Sequence, residues 1–407
     1  MKLSERFCRR NGLATAAVVT ALAAAGAAVA GEKSIRIGVL TDLSSFAAAA
    51  MGPGSVLATR LAVEDFGGKV LGKPIEVIQA DMQSKPDLAV QIARRWYEAE
   101  NIDAIVDVPA SAGAIAIQGL AAQNKKIFLA TVAATNELTG KSCSPNAVHW
   151  GTDTGALARS LVNALAADGA KTWFLIMPDY ALGRDLATHA TPAIQSQGGR
   201  VLETVFFPTG TGDFAQYLLR AKASGADVIG SGAVGLDLTT QIRQAAEFGI
   251  LPSSKQKLGA FVMNLSDVHA LGLQTMQGLY LVQDFYWDHD AATREFAKKF
   301  FARFQKMPNY THSSNYSAVL AYLKAMQEVG SDDPLKIVAQ LKAQPQVRFA
   351  KSSNVRADGR ALFDMQLYRV KTPAESKAPW DYLANIGKID GDKAFLPANP
   401  QLCALVK

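Results

Sequence analysis

The chain has 407 residues, 49% of them apolar and 19% charged, with a formal net charge of +6. That length suggests two domains, and the apolar content supports full cores, so wholesale disorder is excluded. With 32 Gly, 16 Pro and 3 Cys, collagen-like and cysteine-scaffold chains are excluded as well.

The first thirty residues have the pattern of a secretory signal: basic Lys2, Arg6, Arg9 and Arg10, an Ala-rich apolar stretch from Leu13 to Val29, and a small-x-small site at Ala28-Val29-Ala30. Asn11-Gly12 follow the arginine pair where a twin-arginine signal carries bulky apolar residues, so general secretion is expected. Four basic residues and one acid leave with residues 1–30, which lowers the net charge of the remainder to +3 and removes any charge argument for nucleic acid. No later run of 18 uncharged apolar residues occurs, so the exported chain is expected to be soluble, in the periplasm. Cys143 and Cys403 stay with the exported chain, and two cysteines in an oxidising compartment predict one disulfide.

From Ser34 onward short apolar runs alternate with helical spacing. Strands are predicted at 34–40, 75–80, 103–107 and 127–131, with helices at 52–66, 87–99 and 112–124 between them; Gly67-Gly68 ends the first helix. The order then repeats: helix 155–168, strand 172–177, helix 182–196, strand 201–206, helix 213–224, strand 227–230, helix 236–248 and strand 258–262. Such alternation means parallel sheets with right-handed crossovers. The halves also match in detail. FGGKVLGKPIEVI (66–78) is echoed by QGGRVLETVFF (197–207), and Asp87 and Asp103 by Asp213 and Asp227. Two copies of one α/β domain are therefore expected. Beyond a strand near 279–282, helices are predicted at 291–306, 313–329 and 334–343 and a strand at 365–370. The tail from Thr372 has four prolines and reads as mostly irregular but anchored.

Familiar catalytic motifs are weak. Gly230 to Gly235 spells GxGxxG but lacks the acid expected about 20 residues on, so it reads as a tight strand-to-helix turn. Pro109 to Gly113 imitates a nucleophile elbow with Pro in place of the first Gly, so Ser111 is expected to cap the following helix and face a cleft. Asp288-His289-Asp290 are consecutive, a poor metal geometry, and Asp290 reads as a helix cap; no metal and no cofactor are expected. Three Asn-x-Ser/Thr triplets, at Asn264, Asn309 and Asn315, read as chance. What remains is a set of small, hydroxyl-bearing loops after strands: 41–46, with Ser45 and Phe46; 109–112, with Ser111 and Ala112; 131–135, with Ala133 and Thr135; 178–180, with Tyr180; and 231–233, with Gly232. Ligands of open parallel sheets bind at such carboxyl ends, and helix starts there favour anions.

The motifs IRIGVLTDLS (35–44), AVEDFGG (62–68), AATNELT (133–139), PDYALGRDL (178–186) and IRQAAEFGI (242–250) resemble the leucine/isoleucine/valine-binding family of periplasmic solute receptors, which serve ABC importers. The resemblance runs from about Ile35 to Val370. It implies two similar three-layer parallel-sheet domains joined by three hinge crossings, the type I periplasmic binding protein architecture. The division is expected at 34–152 plus 284–362 and 153–283 plus 363–385, with 386–407 as a tail. It also implies a clamp that closes on its ligand, a transient permease partner and a monomer. Ser111, Ala133 and Thr135 match the family's carboxylate-holding loops and Tyr180 a cleft aromatic. The family's amino-acid binders hold the α-ammonium with an acid; lining up Gly259 puts Phe261 there. An unpaired buried ammonium costs several kcal/mol. The expected ligand is therefore a small carboxylic acid with an aromatic body, walled by Phe46, Tyr180 and Phe261, with Tyr316 or Trp287 as further candidates. Asp179 or Asp237 standing in for the acid would restore a branched-chain amino acid or amide receptor. A secreted hydrolase is the alternative of another class.

Overall fold

The computed structural model describes residues 34–45, 47–251 and 255–407. The signal-peptide reading of residues 1–30 and the Phe46 assignment lie outside the described residues.

The first half builds β1 (Ile35–Thr41), α1 (Gly52–Phe66), β2 (Lys69–Val70), β3 (Lys73–Asp81), α2 (Pro86–Glu98), β4 (Ala104–Asp107), α3 (Ser111–Gln123), β5 (Ile127–Ala130) and β6 (Ala147–His149). Its sheet runs β2-β3-β1-β4-β5-β6, parallel except for the β2–β3 hairpin. Alternate residues serve opposite faces. Ile35, Ile37 and Val39 pack with Val56 and Ala62 of α1, whereas Leu40 packs with Ile92 and Trp96 of α2 and Ile117 of α3. Gly38 faces Trp96, whose ring would lie 2.5 Å from any added Cβ.

The second half builds α4 (Thr154–Ala167), β7 (Thr172–Pro178), α5 (Ala181–Ser196), β8 (Arg200–Phe207), α6 (Ala215–Ala223), β9 (Val228–Ser231), α7 (Leu236–Glu247), β10 (Lys257–Ala260), α8 (Leu265–Leu271), α9 (Leu273–Met276) and β11 (Tyr280–Gln283). Its parallel core runs β8-β7-β9-β10-β11, the same order as β3-β1-β4-β5-β6. The duplication read from the sequence is thus a duplication of topology. Gly67 and Asp87 are 20 residues apart and their counterparts Gly198 and Asp213 only 15, because the first stretch contains the β2–β3 hairpin, which the second lacks.

The chain then returns to the first sheet with α10 (Ala291–Phe304), α11 (Tyr310–Val329) and α12 (Pro334–Ala343), and Ala318, Tyr322, Met326 and Leu341 share the core of Ile35 and Ile37. A small sheet of β12 (Gln346–Arg348), β13 (Lys351–Val355) and β14 (Ala361–Leu362) leads back to β15 (Met365–Val370), which pairs antiparallel with β11. The tail corrects the sequence reading. Leu383–Ile389 is not irregular but forms β16, an antiparallel edge strand on β15, and is followed by the short α13 (Gly391–Ala394). Only one face of this edge is covered, so its apolar signal is thin. Beyond it, Phe395 packs edge-on against Phe363, and Cys403 is bonded to Cys143.

The two sheets are connected at three places, after β6, after β11 and after β14. Buried charges bind these crossings together. Arg348 pairs with Asp284, donates to the Trp150 carbonyl at 3.1 Å and to Ser314 Oγ at 2.9 Å, and Thr152 Oγ1 donates to Asp284 at 3.1 Å. Arg360, fully buried, pairs with Asp153 at 3.3 Å and donates to the Gly151 carbonyl. Such pairs are costly to break, because the partner left behind is a buried, unpaired charge. No helix among the described residues is long and apolar enough to cross a membrane.

Candidate ligand-binding site

The carboxyl ends of both parallel cores open on one cavity of about 360 Å³. Every parallel strand except β11 contributes through the loop that follows it: Ala47 and Met51 after β1, Ser84 and Pro86 after β3, Pro109 to Ala112 after β4, Val132 and Ala134 after β5 and Thr152 after β6. From the second sheet come Tyr180, Ala181 and Leu182 after β7, Thr209 after β8, Val234 after β9 and Val262 after β10. Leu157 of α4 and Tyr310, the first residue of α11, complete the wall. This is the crevice at the strand-order reversal where open α/β sheets hold ligands.

The lining has a definite chemistry. Met51, Val132, Leu157, Leu182, Val234 and Val262 are aliphatic, Tyr180 and Tyr310 aromatic, and the polar groups are the hydroxyls of Ser84, Ser111, Thr152, Thr209 and the two tyrosines. Among the described residues no charged side chain lines it. Five helices, α1, α2, α3, α5 and α7, start at this wall without a side-chain cap, whereas α4, α10, α11 and α12 are capped by Asp153, Asp290, Asn309 and Asp333. A helix start leaves backbone N–H groups without intrahelical partners and carries partial positive charge. Burial raises the pKa of both tyrosines, and nearby carboxylates raise it further, Asp237 for Tyr180 and Asp267 and Asp284 for Tyr310, so both phenols stay protonated donors.

The expected site residues fall into two groups. Ser111, Ala112 and Tyr180 line the cavity. The expected capping of α3 by Ser111 is corrected: Ala110 holds the cap position and Ser111 is the first helical residue, which leaves its hydroxyl to the cavity. The others, Phe46 aside as it lies outside the described residues, stand behind the wall. Ser45 binds Asp42 and lies 2.7 Å from Ser84 Oγ. Ala133 is buried, its carbonyl 2.7 Å from His149 Nε2. Thr135 Oγ1 accepts from the Glu137 N–H at 3.3 Å. Gly232 lies where a Cβ would meet Met177 Sδ at 2.6 Å. Phe261 packs in the core against Gly230, and its neighbour Val262 faces the cavity. Of the further aromatic candidates, Tyr316 donates to Asp65 and Trp287 donates to the Trp380 carbonyl, both away from the lining.

The acids named as substitutes are engaged. Asp179 pairs with Arg184, and Asp237 accepts from the Gly210 N–H through both oxygens at 3.1 Å, with burial raising its pKa. Sequence reasoning missed Tyr310, Thr152, Leu157 and Thr209. For Tyr310 a signal existed: Asn309 is a helix-cap residue, and its side chain accepts from the Thr311 N–H at 3.0 Å. Asp290 caps α10 as expected, accepting from the Thr293 N–H at 2.8 Å.

A duplicated α/β fold whose two sheets close on one shared crevice is the build of a solute receptor. The family model described as periplasmic binding protein matches residues 34–377, and the chain belongs to that family, whose members are exported solute-binding proteins of ABC transporters. It is 41% identical to a periplasmic binding protein from Burkholderia mallei, with a TM-score of 0.87 over 92% of this chain and 99% of that one. It is also 41% identical to a branched chain amino acid ABC transporter periplasmic ligand-binding protein from Burkholderia xenovorans, with a TM-score of 0.83 over 89% and 97% of the two chains. A solute binding protein of an ABC transporter from Rhodopseudomonas palustris, solved in complex with 3,4-dihydroxy benzoic acid, shares the fold at 21% identity, with a TM-score of 0.79 over 88% and 98%.

Proposed function

We propose that this protein captures a small carboxylic acid with an apolar, aromatic body in the cavity between its sheets, and presents it, closed, to the permease of an ABC importer. The observation that carries this reading is the lining: hydroxyls, uncapped helix starts and apolar walls, with no charged side chain among the described residues. A carboxylate is favoured by such helix starts. The α-ammonium of an amino acid would find no carboxylate on the wall, and leaving it unpaired costs several kcal/mol. The ring would lie between Tyr180 and Tyr310 and the aliphatic residues. Met51 and Ser111 stand on one side and Leu182 and Val234 on the other, so a ligand touching both gains more contact in the closed state and shifts the population towards it. Binding without turnover fits the same wall: among the described residues no histidine or lysine lines it, and of the carboxylates that meet its hydroxyls from behind, Asp42 at Ser84 and Asp284 at Thr152, the second is already paired with Arg348.

The second reading, a branched-chain amino acid receptor, has two observations in its favour: Asp237 lies close enough to raise the Tyr180 pKa, and Asp267 and Asp284 close enough to raise that of Tyr310. A thermal-shift panel separates the two, with benzoate, 4-hydroxybenzoate and phenylacetate beside leucine, isoleucine and valine. A hundredfold excess over the dissociation constant stabilises the folded state by about 2.7 kcal/mol. Stabilisation by the aromatic acids is expected; stabilisation by the amino acids alone would overturn the proposal. Small-angle scattering with the stabilising compound tests closure, since unchanged dimensions at saturation would leave rigid binding in its place.

A further inference from the structure

We propose that Asn315 is a positioning residue that sets the first-sheet half of the cavity wall through one buried amide. The cavity loops are separate in sequence, yet four of them are tied to this side chain. Asn315 Oδ1 accepts from Thr131 Oγ1 at 2.9 Å, and its Nδ2 group is shared among Ser55 Oγ at 3.2 Å, Asp107 Oδ2 at 3.1 Å and the Thr311 carbonyl at 3.1 Å. Thr131 in turn accepts from the Asp107 N–H at 3.1 Å. Asn315, Asp107 and Ser55 are fully buried.

Each partner stands next to the wall. Ser55 lies in the first turn of α1, just after Met51. Asp107 ends β4 and leads into the loop that holds Ser111. Thr131 precedes Val132, and Thr311 follows Tyr310. The β4 exit is the place that most needs holding. Asp107 and Val108 have φ of 80° and 57°, a region that a β-branched residue such as Val108 avoids unless its surroundings impose it. The network is made only of backbone ends and small polar groups, so its loss removes position rather than apolar burial. Placement of four loops by one group is also what a preformed site requires, since order present before binding need not be imposed by the ligand.

This inference rests on the proposed function for the meaning of the wall, so the test is made without ligand. Hydrogen exchange is followed in the ligand-free exported protein, for the wild type, Asn315→Ala and Ser317→Ala. Ser317 is a buried residue on the same helix whose hydroxyl accepts from Trp150 Nε1 at 2.9 Å, outside this network. Loss of Asn315 should speed exchange about tenfold or more in peptides covering 108–113 and 131–135, the scale of one lost hydrogen bond, while peptides at 178–182 stay unchanged. Ser317→Ala should not reproduce that local pattern. The swapped pair Asp107→Asn with Asn315→Asp, which keeps an amide against a carboxyl, should restore protection. A rise spread evenly over the first sheet, or the same pattern in Ser317→Ala, would overturn the proposal. If Asn315→Ala does not fold, Thr131→Val removes one arm alone and must loosen 131–135; unchanged exchange there would overturn it equally. Failure of the aromatic acids in the thermal-shift panel bears on the ligand and leaves this result standing.

Discussion

Replacing Cys143 and Cys403 together by alanine removes a link between residues 260 apart in sequence. In the chain-entropy account, closing a loop of that length restricts the unfolded chain by about 5.6 kcal/mol, while removal of native bridges typically costs about 2–5 kcal/mol. For roughly 370 folded residues the unfolding entropy is about 0.8 kcal/mol per kelvin, so the melting temperature should fall by roughly 3–7 °C. The folded tail has other anchors. Phe395 packs on Phe363, Arg356 donates to the Leu396 carbonyl at 2.6 Å, and Arg159 donates to the Lys393 carbonyl at 2.9 Å. The double variant should therefore lose stability and keep its ligand response. Calorimetry gives the shift, and mass spectrometry of the unreduced exported protein gives the bridge itself as a loss of two hydrogens. Two freely alkylated thiols in that protein, or a melting temperature lowered by less than about 1 °C, would refute the reasoning.

How far the sequence carried can be judged from particular residues. Strand and helix identities were legible because each sheet is buried on both faces, which leaves unbroken apolar runs such as Trp173 to Met177 between amphipathic helices. The edge strand Leu383–Ile389 was not, since all six positions after Leu383 are partly or fully exposed, in an alternation broken by Gly387 and Lys388. The loops of the site were legible as loops, because carboxyl-end turns have a fixed place in this topology. Which side chain of a loop faces the cavity was not, because that depends on a single residue of register. Phe261 and Val262 are adjacent, and the strand leaving β10 sends the ring into the core and the valine to the wall. Asn309 marked the helix start before Tyr310, but the place of Tyr310 on the wall was illegible for another reason. Tyr310 enters from a helix that reaches the first sheet only after the chain has built the parallel core of the second, and nothing local records that return. Asn315 shows the same limit. In sequence it is the start of a chance Asn-x-Ser triplet; in the fold it is a buried amide with partners near residues 55, 107 and 131.

Three further predictions follow from packing and charge. Arg348→Met leaves Asp284 buried and unpaired, so urea unfolding should show a loss of about 3–5 kcal/mol, most of it recovered by adding Asp284→Leu; no recovery would mean that the guanidinium acts through packing on Phe363 instead. Gly183→Ala would set a Cβ 2.0 Å from the Pro178 carbonyl oxygen, so the start of α5 must shift with Tyr180 and Leu182, and titration calorimetry with the acid found by the panel should show binding weakened at least about tenfold. The third concerns Asp107 and pH. Burial raises its pKa from 3.8 to about 7, the nearby Asp42 charge adds to the rise, and hydrogen bonds from Ser55, Asn315 and Thr41 only moderate it. Below about pH 4 the folded and unfolded chains both hold this proton. Between about pH 4 and pH 7 the folded protein keeps a proton that the unfolded chain releases, so this group makes stability fall with rising pH, by up to about 1.4 kcal/mol per unit. Above about pH 7 the native carboxyl has also ionised and the loss levels off. Asp107→Asn holds the shape of the protonated acid without titrating. Buried His312, whose pKa is lowered to about 3, shapes the pH profile of both proteins alike and cancels in their difference. The advantage of Asp107→Asn over the wild type in urea unfolding should therefore grow from pH 5 to pH 7 and then stay constant to pH 8. A difference independent of pH would mean that Asp107 is already ionised in the fold, held as a carboxylate by Asn315 and Ser55 against the cost of its burial.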